Sequence, residues 1–236
     1  MDDVLTQTLG PSEAILWQQY LSAEAQGKRV RALLDLRGFV QALQDGLEKQ
    51  RHDFAEAFCR QMVNFGEALP LRQPLFAGVI GPYLVLARQQ GKEDAGRWLA
   101  YFHPHFLNLP PSERLIELDD SLSSISLLAV AFRQDPNNIQ TQDLLIQNLT
   151  QQFEYAVHEV PTGVLYGIDG AKVVECQEWL DDLALFREVV QKRGVSEKYE
   201  MAMRYWDFHF RGYADYLNHR EQYRNYEEYI NQHWQV

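Results

Sequence analysis

Tyr199, Met203, Trp206, Phe210, Tyr213 and Leu217 lie within residues 196–218, which read SEKYEMAMRYWDFHFRGYADYLN, and they step by 4, 3, 4, 3 and 4. That spacing stacks side chains on one face of an α-helix, whereas a strand would scatter them over both faces. The same period recurs upstream. Trp179, Leu183, Phe186 and Val190 step by 4, 3 and 4, and Phe54, Phe58, Met62, Phe65 and Leu69 step by 4, 4, 3 and 4. Val30, Leu33, Leu34, Leu43 and Leu47 fit it with one gap.

Punctuation agrees with the period. Pro11-Ser12 and Pro111-Ser112 read as helix starts, with each serine placed to cap a free backbone N–H. Gly27, Gly91 and Gly194 follow helices, and Lys192-Arg193-Gly194 combines cations at the negative helix end with a left-handed cap. The predicted helices are 12–26, 29–46, 49–69, 74–90, 93–106, 112–133, 140–158, 171–193, 196–218 and 221–233. The fold class is all-α: an array of about ten antiparallel helices packed as hairpins, because short connections make neighbours antiparallel.

Residues 160–170, VPTGVLYGIDG, cannot form a stable helix. They read as a short hairpin or ordered loop. That stretch is the boundary candidate between residues 1–158 and an aromatic-rich region 171–236, the two packing as one globular unit. Tyr20-Leu21 leading to Gln26-Gly27-Lys28 is echoed by Tyr83-Leu84 leading to Gln90-Gly91-Lys92. This pair resembles the helix–turn–helix units of tetratricopeptide and related solenoid repeats over two hairpins, but a 34-residue period fails over the rest of the chain.

The 236 residues carry 33 acidic against 22 basic side chains, a formal charge of −11. That sign disfavours nucleic acid and anionic membrane, and it permits a partner protein with a basic surface. Cys59 and Cys176 form no framework or metal spacing and predict a reducing, cytoplasmic setting. The acidic start Met1-Asp2-Asp3-Val4 does not read as a signal peptide, and no apolar stretch is long enough to span a bilayer.

Two carboxylate–histidine pairs have helical i/i+4 spacing, Glu154 with His158 and Asp215 with His219, and Asp207 and His209 lie close to the second. Two such pairs on adjacent helices could hold a metal, as in diiron and haem-oxygenase-like bundle enzymes, although the Glu-x-x-His spacing of the diiron enzymes is missing. Surface i/i+4 pairing is the simpler reading. His103-Pro104-His105 reads as a helix end with imidazoles on the negative terminus. Cys59 and Cys176 read as small core side chains. There is no Gly-x-Ser-x-Gly elbow and no phosphate-binding glycine pattern.

Eleven of the 29 aromatic residues fall between Tyr199 and Trp234. They cannot all face one core, and tyrosine and tryptophan are enriched in interfaces. Tyr166, Tyr216, Tyr223, Tyr226, Tyr229 and Trp234 are therefore the interface candidates. The expectation is a non-enzymatic protein–protein interaction module of regulatory or immunity type, without a cofactor. The alternative is a helical metal-dependent enzyme or small-ligand-binding protein built on the carboxylate–histidine pairs. Oligomeric state has no sequence signal.

Overall fold

The computed structural model describes residues 4–109, 123–159 and 172–233. It is predominantly helical, with no strand among the described residues. The chain divides into two compact units, Met1–Leu127 and Leu128–Val236.

In the first unit, a 3-10 turn at Thr6–Thr8 precedes α1 (Pro11–Ala25) and α2 (Arg29–Asp45). Next come α3 (Glu48–Cys59), α4 (Gln73–Leu75), α5 (Gly81–Gln89) and α6 (Ala95–Leu107). The ring cluster of Trp17, Phe39, Phe54 and Phe58 ties α1, α2 and α3 together, with Trp17 5.2 Å from Phe39 and 5.4 Å from Phe54.

Two helices in this unit widen into π-turns. α3 continues as a π-helix over Arg60–Asn64, closed by the Phe65 N–H on the Arg60 carbonyl, and Gly66 at φ +70° then ends it. The extra residue in the turn moves the buried position from Met62, four after Phe58, to Val63, and it leaves Phe65 exposed. The second π-helix, Phe76–Ile80, lies before Pro82. Proline has no N–H to return one turn back to the Gly78 carbonyl. That carbonyl instead accepts from Gln44 Nε2 of α2 at 3.3 Å.

The apparent repeat is a repeated turn. Gly27 and Gly91 both adopt left-handed φ, +66° and +68°. Each completes the same pair of bonds, Gly27 N–H to Glu24 O with Lys28 N–H to Ala23 O, and Gly91 N–H to Arg88 O with Lys92 N–H to Ala87 O. The tyrosines two turns earlier have different partners: Tyr20 donates to the Pro70 carbonyl and Tyr83 to Glu56.

The second unit holds α8 (Ile139–Glu159), α9 (Val173–Arg193), α10 (Ser196–Asn218) and α11 (Tyr226–His233), and α7 (Ser124–Gln134) straddles the division. α8 packs on α9 and α10, so the 160–170 boundary falls within this unit; those residues lie outside the described ones. Phe153 sits 5.0 Å from Trp206 and 5.5 Å from Phe210, with Trp179 and Phe186 completing the core.

Three local expectations are corrected. The α1 cap is Gly10 with Pro11 in the first turn, and the Ser12 hydroxyl bonds Glu13, because a proline at the first helical position leaves no N–H to cap there. α6 runs through Pro104 to Leu107, and His105 packs 5.2 Å from Phe76, where burial lowers its pKa and keeps the ring from serving as a charged cap. The predicted last helix is broken into a 3-10 turn, Arg220–Gln222, and α11. Pro111-Ser112 lies outside the described residues.

Candidate functional site

The most informative departure is on α2. Its core face is Ala32, Leu36, Phe39, Val40 and Leu43. Of the row Val30, Leu33, Leu34, Leu43 and Leu47, only Leu43 is buried. Val30 is 77% exposed and Leu34 59%, and Leu33 and Leu47 are also exposed. The helix has two apolar faces, and the larger rings of Trp17 and Phe39 claim the other one for the core. Val30, Leu33 and Leu34 share a surface because residues three and four apart are helical neighbours.

A groove of about 590 Å³ lies elsewhere on the α1–α2 hairpin, and none of these three residues lines it. Ala14, Gln18 and Ser22 of α1 line it on one helix face, with Ile15, 59% exposed, beside them. Small side chains at Ala14, Ser22 and Ala23 create the hollow. Lys28, Arg31 and Asp35 of α2 form the opposite side. Asp35 is buried and accepts from Arg31 Nε at 2.8 Å. Arg31 itself is 62% exposed, and its Nη groups make no hydrogen bond among the described residues.

The electrostatics are unusual for a helix start. Lys28, Arg29 and Arg31 crowd the positive end of α2, where neither a capping side chain nor a first-turn acid is present. The nearby Glu24 is engaged elsewhere. Arg72 holds it through two bonds of 2.7 and 2.8 Å, and these, with the Arg72 and Arg29 charges, keep its carboxyl below the ordinary range despite partial burial. Residues 28–37 hold four basic side chains, Lys28, Arg29, Arg31 and Arg37, against one acid, Asp35. The LysArgValArg run was legible in the sequence, but the net charge of the whole chain obscured it.

A second polar constellation in this unit is a clamp. Glu56 of α3 accepts from the Tyr83 hydroxyl at 2.6 Å and from Lys92, and Lys92 also reaches the Tyr83 oxygen at 2.9 Å. Burial alone would raise the Glu56 carboxyl, but the Lys92 and Tyr83 bonds and the Lys92 and Arg60 charges outweigh it and hold the pKa low. Burial and the Glu56 charge push the Tyr83 hydroxyl far up, so it stays protonated. Nearby, Asn64 accepts from Arg97 Nη2 and Trp98 Nε1, both at 2.9 Å, and Arg97 also pairs with Asp94. Each charge here is already matched, which suits joining helices more than moving protons.

The tyrosine candidates fare differently from the sequence expectation. Tyr216, Tyr226 and Tyr229 are buried within the second unit, a correction, and Tyr223 is half-buried. α11 folds back on α10 at Gly212, where an added Cβ would lie 3.2 Å from the Tyr229 ring and 3.4 Å from the Tyr226 hydroxyl. The rings therefore bury one another: Tyr213 and Tyr226 are 4.9 Å apart, and Tyr229 stacks on His233 at 4.2 Å. The Tyr226 hydroxyl donates to the His209 carbonyl at 3.1 Å and also lies 3.1 Å from His209 Nδ1. Tyr166 and Trp234 lie outside the described residues.

The carboxylate–histidine pairs are not brought together. Glu154 and His158 are exposed on α8, and His158 Nε2 lies 3.8 Å from Glu159. Asp215 and His219 pair at 3.1 Å on the surface of α10, and Asp215 also accepts from the Tyr229 hydroxyl. Asp207 is held by Arg187 and Arg211, and His209 is buried. No cluster of three His, Cys, Asp or Glu able to hold a metal occurs among the described residues. None of their helices is long and apolar enough to cross a membrane.

Comparison with protein-family models, curated proteins and solved structures returns no match to this chain.

Proposed function

We propose that this chain is a non-enzymatic protein-binding module of the cytoplasm and that it engages its partner through the α1–α2 hairpin. The observation that carries the reading is the exposed aliphatic row Val30, Leu33 and Leu34 on α2, with exposed Ile15 on α1. Single exposed apolar residues are ordinary on any surface, but a grouped apolar row is the form that protein contacts take. Buried free thiols at Cys59 and Cys176 suit a reducing compartment.

The test is site-specific photocrosslinking in native lysate, with the photoreactive residue at Leu34 in one preparation and at exposed Tyr155 of α8 in another. A discrete adduct from position 34, removed by Val30→Ser, supports the reading. Equal labelling from both positions, or adducts that survive Val30→Ser, refutes it.

A further inference from the structure

We infer that the face of α10 around Gly212 is a groove for a tyrosine-bearing helix, filled in cis by α11 and able to take the α11 of a second copy of this chain. The surface belongs to the second unit, so it stands independently of the α1–α2 reading.

α11 has the properties of a bound peptide. It is eight residues long, and a helix of that length does not hold in water by itself. Its helical form therefore comes from docking. Tyr226 and Tyr229 are its buried side chains, whereas Glu227, Asn231, Gln232 and His233 are exposed. Among the described residues, the ring contacts and side-chain hydrogen bonds that these two tyrosines make outside α11 go to α10 and to Tyr223 of the connection. That connection, residues 219–225, holds the 3-10 turn Arg220–Gln222, and Arg220, Glu221, Gln222, Arg224 and Asn225 along it are exposed. An exposed tether of this kind is where a terminal element opens first.

The groove selects its occupant. At Gly212 the tyrosine rings fill the space that a side chain would take, since an added Cβ would lie 3.2 Å from the Tyr229 ring. Tyr213 and Tyr216 flank the site, 4.9 and 5.5 Å from the Tyr226 ring. Two acceptors on α10 fix the register. The His209 carbonyl accepts from the Tyr226 hydroxyl at 3.1 Å, and the Asp215 carboxylate accepts from the Tyr229 hydroxyl at 2.9 Å. The ligand so defined is a helix with tyrosines three residues apart, each ring ending in a donor. This chain carries that helix itself, which makes a second copy its source in trans. The short tether keeps α11 at a millimolar effective concentration over its own groove, so exchange follows only when the connection swings it away. Reciprocal exchange then gives a closed two-fold pair.

Two full-length variants separate the groove from its ligand. Tyr226→Ala/Tyr229→Ala vacates the groove, and Gly212→Leu blocks it while leaving α11 intact. Each alone should be monomeric in light scattering, and an equal mixture should form a one-to-one complex. A fluorescein-labelled peptide of residues 219–236 should bind the vacated chain about tenfold or more tightly than it binds the wild type, whose own α11 competes. The same peptide with alanine in place of both tyrosines should not bind. Circular dichroism follows the fold of each variant. A vacated chain that no longer folds overturns the inference, because α11 is then part of the core and not a ligand. So does the absence of a complex between two folded variants, a complex formed by either variant alone, equal peptide binding by vacated and wild-type chains, or binding of the alanine peptide. If Gly212→Leu alone unfolds, the peptide titration of the vacated chain decides.

Discussion

His209 should make the second unit sensitive to mild acid. Its ring is buried against Tyr226, Tyr205 and Phe208, and burial lowers its pKa from 6.5 to about 4. The ring stays neutral as long as it remains enclosed, whereas the unfolded chain takes up a proton below 6.5. The folded value is the lower one, so the stabilisation is complete above pH 6.5 and is lost as pH falls toward 4. At about 1.4 kcal/mol per tenfold change in proton affinity, the full loss is about 3 kcal/mol, of which about 2 kcal/mol has gone by pH 5. The assay is urea unfolding of the full chain, followed by circular dichroism at about pH 7.5 and about pH 5, for the wild type and for His209→Gln. The variant loses ring packing at every pH, but it has no proton to gain at this position. The wild type should therefore lose about 2 kcal/mol more than the variant between the two conditions. Parallel losses would refute the assignment of a buried neutral imidazole.

Three other substitutions probe the contacts that set the architecture. Gly78→Ala places a Cβ 2.7 Å from Val40 Cγ1 and 3.1 Å from Gln44 Nε2; it should cost about 1–2 kcal/mol in chemical denaturation, and Val40→Ala should recover part of that in the double variant. Glu56→Gln should cost about 1–2 kcal/mol at neutral pH, and the deficit should shrink as acid protonates the wild-type carboxyl, whose pKa is held low in the fold; a deficit independent of pH would contradict the clamp. Gly194→Ala meets no atom within 4 Å, so only its φ of +74° matters; thermal melts should show a loss of about 1 kcal/mol, smaller in Gly194→Asn.

Helix identity and most helix limits were readable because apolar period and glycine stops are local. Gly27, Gly91 and Gly194 mark ends that need no knowledge of the rest of the chain. Choice of face was less secure. α2 carries two apolar stripes, and only the distant Phe54 and Phe58, packing on Trp17 and Phe39, decide which is buried. The tyrosines failed for a related reason. Tyr216, Tyr226 and Tyr229 form a surplus when α10 is read alone, but Gly212 lets α11 approach and the excess becomes core. The π-turns disturb the 3-4 count without any local apolar cue, although Pro82 supplied a hint for one of them. The basic rim at Lys28 and Arg31 was visible as composition, and it took the hairpin to place it beside a hollow.

The two cysteines make each unit its own reporter of opening. Cys59 is enclosed in the first and Cys176 in the second, and burial pushes both thiols up, Cys176 to about 12. Neither presents a reactive thiolate to a reagent while its surroundings stay closed. Pulse alkylation followed by peptide mass analysis would thus time the breathing of each unit separately in one unlabelled sample. Cys59→Ser and Cys176→Ser would assign the two clocks.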